Sequence, residues 1–172
     1  PEQAKYAYCA TVDALRQAGL DQDFLDKNDV GLIYGNDSSA VPVVESVEKI
    51  KAKKDTTLCG SGAIFQSMNS TVTMNLGCIF KLKGINLTIS AACASSSHSI
   101  GAFSTRESEP TKASRPFDRD RDGLVPGGGA ATVIIESLES AKRRGATILG
   151  EILGWGFSSN GDHISSPNVE GP

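Results

Sequence analysis

"GINLTISAACASSSHSIG", residues 84–101, decides how the rest of the chain is read. Ile85, Leu87 and Ile89 alternate with Asn86, Thr88 and Ser90, the two-residue period of a strand. The alternation stops at Cys93, whose neighbours are Ala91, Ala92, Ala94, Ser95 and Ser96. Such small residues suit a tightly packed helix. A strand that turns into a helix at a cysteine lets something approach the thiol closely: another backbone, or a substrate.

Thiols attack as thiolates, and an ordinary cysteine with a pKa of about 8.5 is mostly protonated at neutral pH. At the start of a helix the unpaired N–H groups and the positive end of the dipole favour the anion. The same N–H groups can hydrogen-bond an oxyanion formed on an acyl substrate. The arrangement follows the logic of the nucleophile elbow of serine hydrolases, with sulfur in place of oxygen. The residues alone also fit a small, inert, buried cysteine packed among alanines and serines. Cys9, Cys59 and Cys78 fall in helical or loop patterns and read as ordinary packing residues.

Outward from this stretch, strands and helices alternate. Tyr8, Val12 and Leu15 recur at helical spacing before Gly19, a natural helix stop. "VGLIYG" (30–35) reads as a short buried strand. Pro42 suits a first helical turn, with Val44, Val47 and Ile50 on one face of the helix that follows. Ile64, Met68, Val72 and Leu76 step by four, which predicts one long buried helix. "AATVIIESL" (130–138) predicts a strand running into a helix that Gly145 ends, and "TILGEILGWGFSS" (147–159) a last strand. The pattern is that of an α/β protein with a largely buried, mixed sheet covered by helices.

A length of 172 residues allows one domain. Net charge is −3, and the two basic clusters (Lys49, Lys51, Lys53 and Lys54, then Lys142, Arg143 and Arg144) have the spacing of solvated helix faces. Nucleic acid is therefore not an expected partner. No apolar run is long enough to span a bilayer. The four cysteines lack metal-ligand spacing and only His98 and His163 accompany them, so no metal is expected, and free thiols fit the cytoplasm. The chain opens already inside a helical pattern and stops after a polar loop, which reads as a piece of something longer.

Three motifs are weaker than they look. Asp118, Asp120, Asp122 and Gly123 occupy early positions of an EF-hand loop, but Gly129 stands at the twelfth. Salt bridges to Arg115, Arg119 or Arg121 are expected of these aspartates instead. "GGGAA" (127–131) does not satisfy GxGxxG and precedes a strand, so it reads as a turn needing backbone freedom. His98 lies more than one turn beyond Cys93 and rotated away from it, which disfavours a general base. His163, beside Asp162, could line a mouth.

"INLTISAACASSSHSIG" resembles the nucleophile motif of the β-ketoacyl-acyl carrier protein synthases, with Cys93 at the catalytic cysteine. The similarity continues through "GSGAIFQSMNS", "KASRPFDRDRDGLVPGGGAATVIIESLESAKRRGA" and "EILGWGFSSNGDHISSPNVEG", closest to the bacterial elongating enzymes of type I or II. The resemblance implies a thiolase-like fold of layered αβαβα architecture, of which residues 1–172 look like the first half. It implies acyl transfer from acyl carrier protein to Cys93, then decarboxylative condensation with malonyl-acyl carrier protein, without a metal or organic cofactor. It further implies a cytoplasmic homodimer, with the strand at 85–90 as the candidate pairing edge, and a site supported by the 118–122 and 127–129 segments. The family's two catalytic histidines and the segment completing its oxyanion hole belong to the second half; neither His98 nor His163 matches them. Relatives also continue the cysteine helix into a strand and another helix, whereas here Gly101 joins Ala102, so residues are expected to be missing at that junction. A polyketide ketosynthase, a thiolase relative or a non-catalytic structural fragment are the alternative readings.

Overall fold

The structure, a computed structural model, describes residues 1–90, 104–123, 125 and 127–156. They fall into two compact units. The first comprises residues 1–90 with 128–147, and the second residues 104–123, 125 and 127 with 148–156. Cys93, His98, His163 and the Gly101–Ala102 junction lie outside the described residues.

In the first unit, helix α1 spans Glu2–Ala18 and ends where the sequence indicates, at Gly19, whose φ of 67° is left-handed. Its buried stripe is Ala4, Ala7 and Thr11, with Val12 and Leu15 half-buried beside it. Tyr8 sits on the exposed flank and stacks on Phe80, ring centroids 5.8 Å apart. Asp21 caps α2 (Gln22–Lys27) by accepting from the Phe24 N–H at 2.9 Å. Strand β1 follows at Leu32–Gly35. Helix α3, Val41–Lys53, carries Pro42 in its first turn as expected, but Val44, Val47 and Ile50 are exposed rather than packed.

The long helix expected through residues 64–76 is two helices, α4 (Gly62–Ser67) and α5 (Thr71–Ile79). Met68 is extended, with ψ 146°. The break frees the Asn69 carbonyl to accept from the Asn36 side chain at 2.6 Å. Only the second half of the apolar stripe is buried: Val72 and Leu76 are 1% and 0% exposed, against 67% for Ile64. Strand β2 (Asn86–Ile89) pairs in parallel with β1, Leu32 opposite Asn86 and Gly35 opposite Ile89. Helix α6, Leu138–Arg143, is capped by Ser137 and released at Gly145, φ 69°.

The faces of β2 are used in the opposite sense to a simple hydrophobic-in reading. Asn86 and Thr88 face α5, where the Thr88 and Thr73 hydroxyls bond at 2.7 Å. Ile85, Leu87 and Ile89 are exposed, and so is Ile33, which stands opposite Leu87. The sheet is therefore covered by helices on one face and leaves an apolar second face open within this unit.

Two expected strands are not hydrogen-bonded into the sheet. Residues 131–136 alternate in exposure as a strand does, with Thr132 and Ile134 half-buried and Val133 and Ile135 exposed, yet they pair with no described backbone. A strand is defined by its ladder, and a cavity, not a neighbouring strand, lies between this segment and β1. Residues 148–156 likewise have no partner strand among the described residues. In that second unit, Asp122 organises residues 104–106, Pro110–Lys112 form a single 3₁₀ turn, and Ala113 is buried.

Candidate active site

β2 is the described element that precedes the cysteine segment in the sequence, and its packing fixes where that strand ends. Gly77 lets α5 sit close: a Cβ there would lie 2.6 Å from the Asn86 amide nitrogen. The same Asn86 amide donates to the Thr73 carbonyl at 3.1 Å. At the entry to β2, Gly84 packs on Val30–Gly31 and its N–H donates to the Val30 carbonyl at 3.0 Å. Helix, strand and entry turn together leave β2 little freedom to slide or rotate.

At the carboxyl ends of the two strands, Asn36 closes the pair. Its N–H donates to the Ile89 carbonyl at 3.1 Å while its side chain reaches Asn69. Ser39 N–H donates to the Ser67 carbonyl at 3.3 Å, tying the loop after β1 to the α4–α5 break. Carboxyl ends of parallel strands are where open α/β sheets place their ligands. Cys93 comes four residues after Ile89 in the sequence. Asn36 and Asn69 were not singled out by sequence reading. The only local signal is the polar "NDSS" after β1, which does not show that Asn36 reaches Asn69.

The other thiols stand elsewhere. Cys9 and Cys78 are exposed on α1 and α5, and Cys59 donates to the Ser46 carbonyl with Sγ 3.5 Å away. All three are free.

The aspartate run is occupied by protein partners. Asp118 accepts from the Asp120 N–H at 2.8 Å, and Asp120 pairs with Arg119 at 3.4 Å on the surface. Asp122 accepts from the Ser104 hydroxyl at 2.7 Å and the Thr105 N–H at 3.1 Å, with Arg106 at 3.5 Å. These contacts, the Ser104 hydrogen bond foremost, hold its carboxyl below the usual range. The cation beside Asp122 is thus Arg106 rather than the arginines expected from its own run. Among the described residues no cluster of three metal-ligating side chains forms, and no helix is long and apolar enough to cross a membrane. Gly128 and Gly129 do not occupy the left-handed region. A Cβ on Gly128 would make ordinary contact with the Tyr6 ring at 3.7 Å, so this run is not a turn that needs glycine's freedom.

The chain belongs to the β-ketoacyl synthase family: residues 2–106 match the model described as "Beta-ketoacyl synthase, N-terminal domain". Among curated relatives it is 32% identical to 3-oxoacyl-[acyl-carrier-protein] synthase 1 of Haemophilus influenzae, over 99% of this chain and 51% of that protein. It is also 32% identical to the enzyme of the same name in Escherichia coli K12, over 96% and 50%. A crystal structure of a β-ketoacyl synthase from Burkholderia phymatum matches with a TM-score of 0.78 and 32% identity, covering 95% of this chain and 49% of that one. The chain therefore has the thiolase-like α/β fold and spans about half the length of the relatives it matches. The Haemophilus comparison runs over 206 residues against 172 here, so at least the difference, 34 positions, has no counterpart in this chain.

Proposed function

We propose that this chain supplies the acyl-accepting half of a condensing enzyme of fatty acid biosynthesis, with Cys93 as nucleophile. The Cys93 thiolate attacks the thioester of an acyl-acyl carrier protein. The carbonyl becomes a tetrahedral oxyanion, to which the Cys93 N–H donates, and collapse expels the carrier's thiolate. The acyl chain is left on sulfur, and the proton lost by Cys93 goes to the departing thiol. The observation that supports this reading is the parallel pairing of β2 with β1, locked by Asn86, Thr88 and Gly84, because β2 immediately precedes the small-residue cysteine segment in the sequence and open α/β sheets bind ligands at the carboxyl ends of their strands. The names of the relatives support acyl carrier protein as the partner.

Decarboxylation of malonyl-acyl carrier protein and carbon–carbon bond formation are assigned to histidines of the second half, outside this chain. A homodimer through the outer edge of β2 is supported by the strand's place at one side of the pair and by the exposed Leu87 and Ile89. The free thiols support a cytoplasmic setting. The excess of 34 positions in the Haemophilus relative supports a block missing at Gly101–Ala102. Incubation of the chain with an acyl-acyl carrier protein, followed by peptide mass mapping, tests the assignment. One acyl adduct on Cys93, absent in Cys93→Ser, is expected. Adducts on Cys9 or Cys78 instead would reject it.

A further inference from the structure

A closed circuit of hydrogen bonds joins the carboxyl ends of β1 and β2 to the start of α5. The Asn36 N–H donates to the Ile89 carbonyl at 3.1 Å, and the Asn36 side-chain amide donates to the Asn69 carbonyl at 2.6 Å. One residue further, the Ser70 carbonyl accepts from the Thr73 hydroxyl at 3.1 Å. Thr73 meets the Thr88 hydroxyl at 2.7 Å, and Thr88 is the neighbour of Ile89, where the circuit closes. We propose that Asn36 is a positioning residue for acylation, which acts through this circuit by fixing Thr88 and Ile89, the end of the strand that leads in sequence to Cys93. The proposal rests on the reading of Cys93 as acyl acceptor.

The circuit specifies orientation. Hydrogen bonds are directional, whereas apolar contacts are not. Each hydroxyl carries one proton; Thr73 gives its own to the Ser70 carbonyl, so Thr88 donates to Thr73 and the chain of bonds runs one way. Thr73 is buried, 3% exposed, which leaves little room for water to replace a lost partner. Asn86 braces the same residue, its amide donating to the Thr73 carbonyl at 3.1 Å.

Asn36 is the link that spans the circuit. The extended Met68 backbone, ψ 146°, frees the Asn69 carbonyl from the helices, and the Ser39 N–H on the Ser67 carbonyl holds the same break from the other side. With only its backbone bond to Asn36, the Ile89 end could pivot about one contact. The side-chain bond to Asn69 removes that freedom. Thr73, Thr88 and Asn86 hold β2 on α5 directly, whereas the Asn36 side chain can be changed with its own N–H and the β1–β2 ladder left in place. Asn36→Asp keeps the size and sets a carboxylate oxygen against the Asn69 carbonyl, two acceptors with no proton between them. Asn36→Ala removes the link without repulsion.

The test is single-turnover acylation of Cys93 in the full 172-residue chain by an acyl-acyl carrier protein, followed by peptide mass mapping. A misplacement of about 1 Å costs up to about 10²-fold in rate, so both Asn36 variants are expected to lower the limiting acylation rate about tenfold or more. The half-saturating carrier concentration and the far-UV circular dichroism should stay those of the parent. Arg144→Ala, which removes contacts to Glu136 and the Ala18 carbonyl instead, should acylate as the parent does. Parent-like limiting rates in both Asn36 variants, or an equal loss in Arg144→Ala, would overturn the proposal. A raised half-saturating concentration at an unchanged limiting rate would overturn it too, by assigning Asn36 to docking, and so would unfolding of both variants, by making the residue structural. A parent that takes no acyl group on Cys93 defeats the catalytic reading itself, and the positioning role with it.

Discussion

Gly84→Ala isolates the contact that seats β2. A Cβ on Gly84 would lie 2.7 Å from both Gly31 N and Val30 C and 2.8 Å from Val30 O. Carbon contacts settle near 3.5–4.0 Å, so the two backbones must part by about 1 Å. The obstructing atoms are main chain and cannot rotate aside. Parting them stretches two short hydrogen bonds, Gly84 N–H to Val30 O at 3.0 Å and Leu32 N–H to Ile85 O at 2.7 Å. Overpacking strain costs about 1–3 kcal/mol, and each weakened hydrogen bond up to about 1 kcal/mol. The φ of Gly84 is not left-handed, so alanine's smaller unfolded-state entropy returns about 0.4–1 kcal/mol. The net expectation is a destabilisation of about 2–3 kcal/mol. In urea denaturation followed by far-UV circular dichroism, with a slope of about 2 kcal/mol per molar, the midpoint should fall by about 1–1.5 M. Gly60→Ala, where a Cβ would meet nothing within 4 Å, should stay within about 0.5 kcal/mol of the parent. If Gly84→Ala matched Gly60→Ala, the claim that close backbone approach seats β2 would be wrong.

Arg144→Ala should destabilise the chain by about 2 kcal/mol, since it leaves Glu136 and the Ala18 carbonyl without their donor. Arg144→Lys should recover only part of that, because an ammonium cannot present the guanidinium fork; equal stability of both variants with the parent would contradict a stabilising Arg144–Glu136 pair. Glu136 is held below its ordinary pKa, chiefly by the Arg144 hydrogen bond. Its contribution should be complete above the usual glutamate range near 4.3 and fade as pH falls toward the depressed folded value. Arg144→Ala should flatten that acid limb, and a parallel pH dependence in both proteins would refute the link. Asp122→Ala should speed amide exchange at Thr105, whose N–H loses its acceptor, while leaving the α5–β2 amides unchanged. Thr73→Val should cost about 1 kcal/mol by stranding the Thr88 hydroxyl, and Thr73→Val with Thr88→Val should restore much of it; additive losses would contradict a direct bond.

Local grammar was legible where local chemistry decides the outcome. Gly19 and Gly145 end helices because each takes a left-handed φ, and Pro42 opens α3 because its missing N–H is not needed there. β1 and β2 were readable from a short apolar run and a two-residue period. The α4–α5 break was not, because the apolar step of four continues through Met68; only Asn36, 33 residues earlier, shows why the Asn69 carbonyl is turned out. The face of β2 was equally hidden, since Thr73, Thr88 and Asn86 make a polar seam that hydrophobicity alone would send to solvent. Residues 131–136 have the alternation of a strand but not the partner, and pairing is a non-local property. The nucleophile candidate came from small residues around Cys93. The asparagine closure of the strand ends required the folded backbone.

The rate of iodoacetamide alkylation at each cysteine, followed by peptide mass mapping from pH 5 to 9, tests most directly whether the end of β2 presents an activated thiol. Cys93 is expected to react first at pH 6–7, ahead of the exposed Cys9 and Cys78, with an inflection at least about one unit below the value of about 8.5 for an ordinary thiol. A Cys93 that follows the same pH curve as Cys9 and Cys78, or reacts after them, would contradict its role as acyl acceptor.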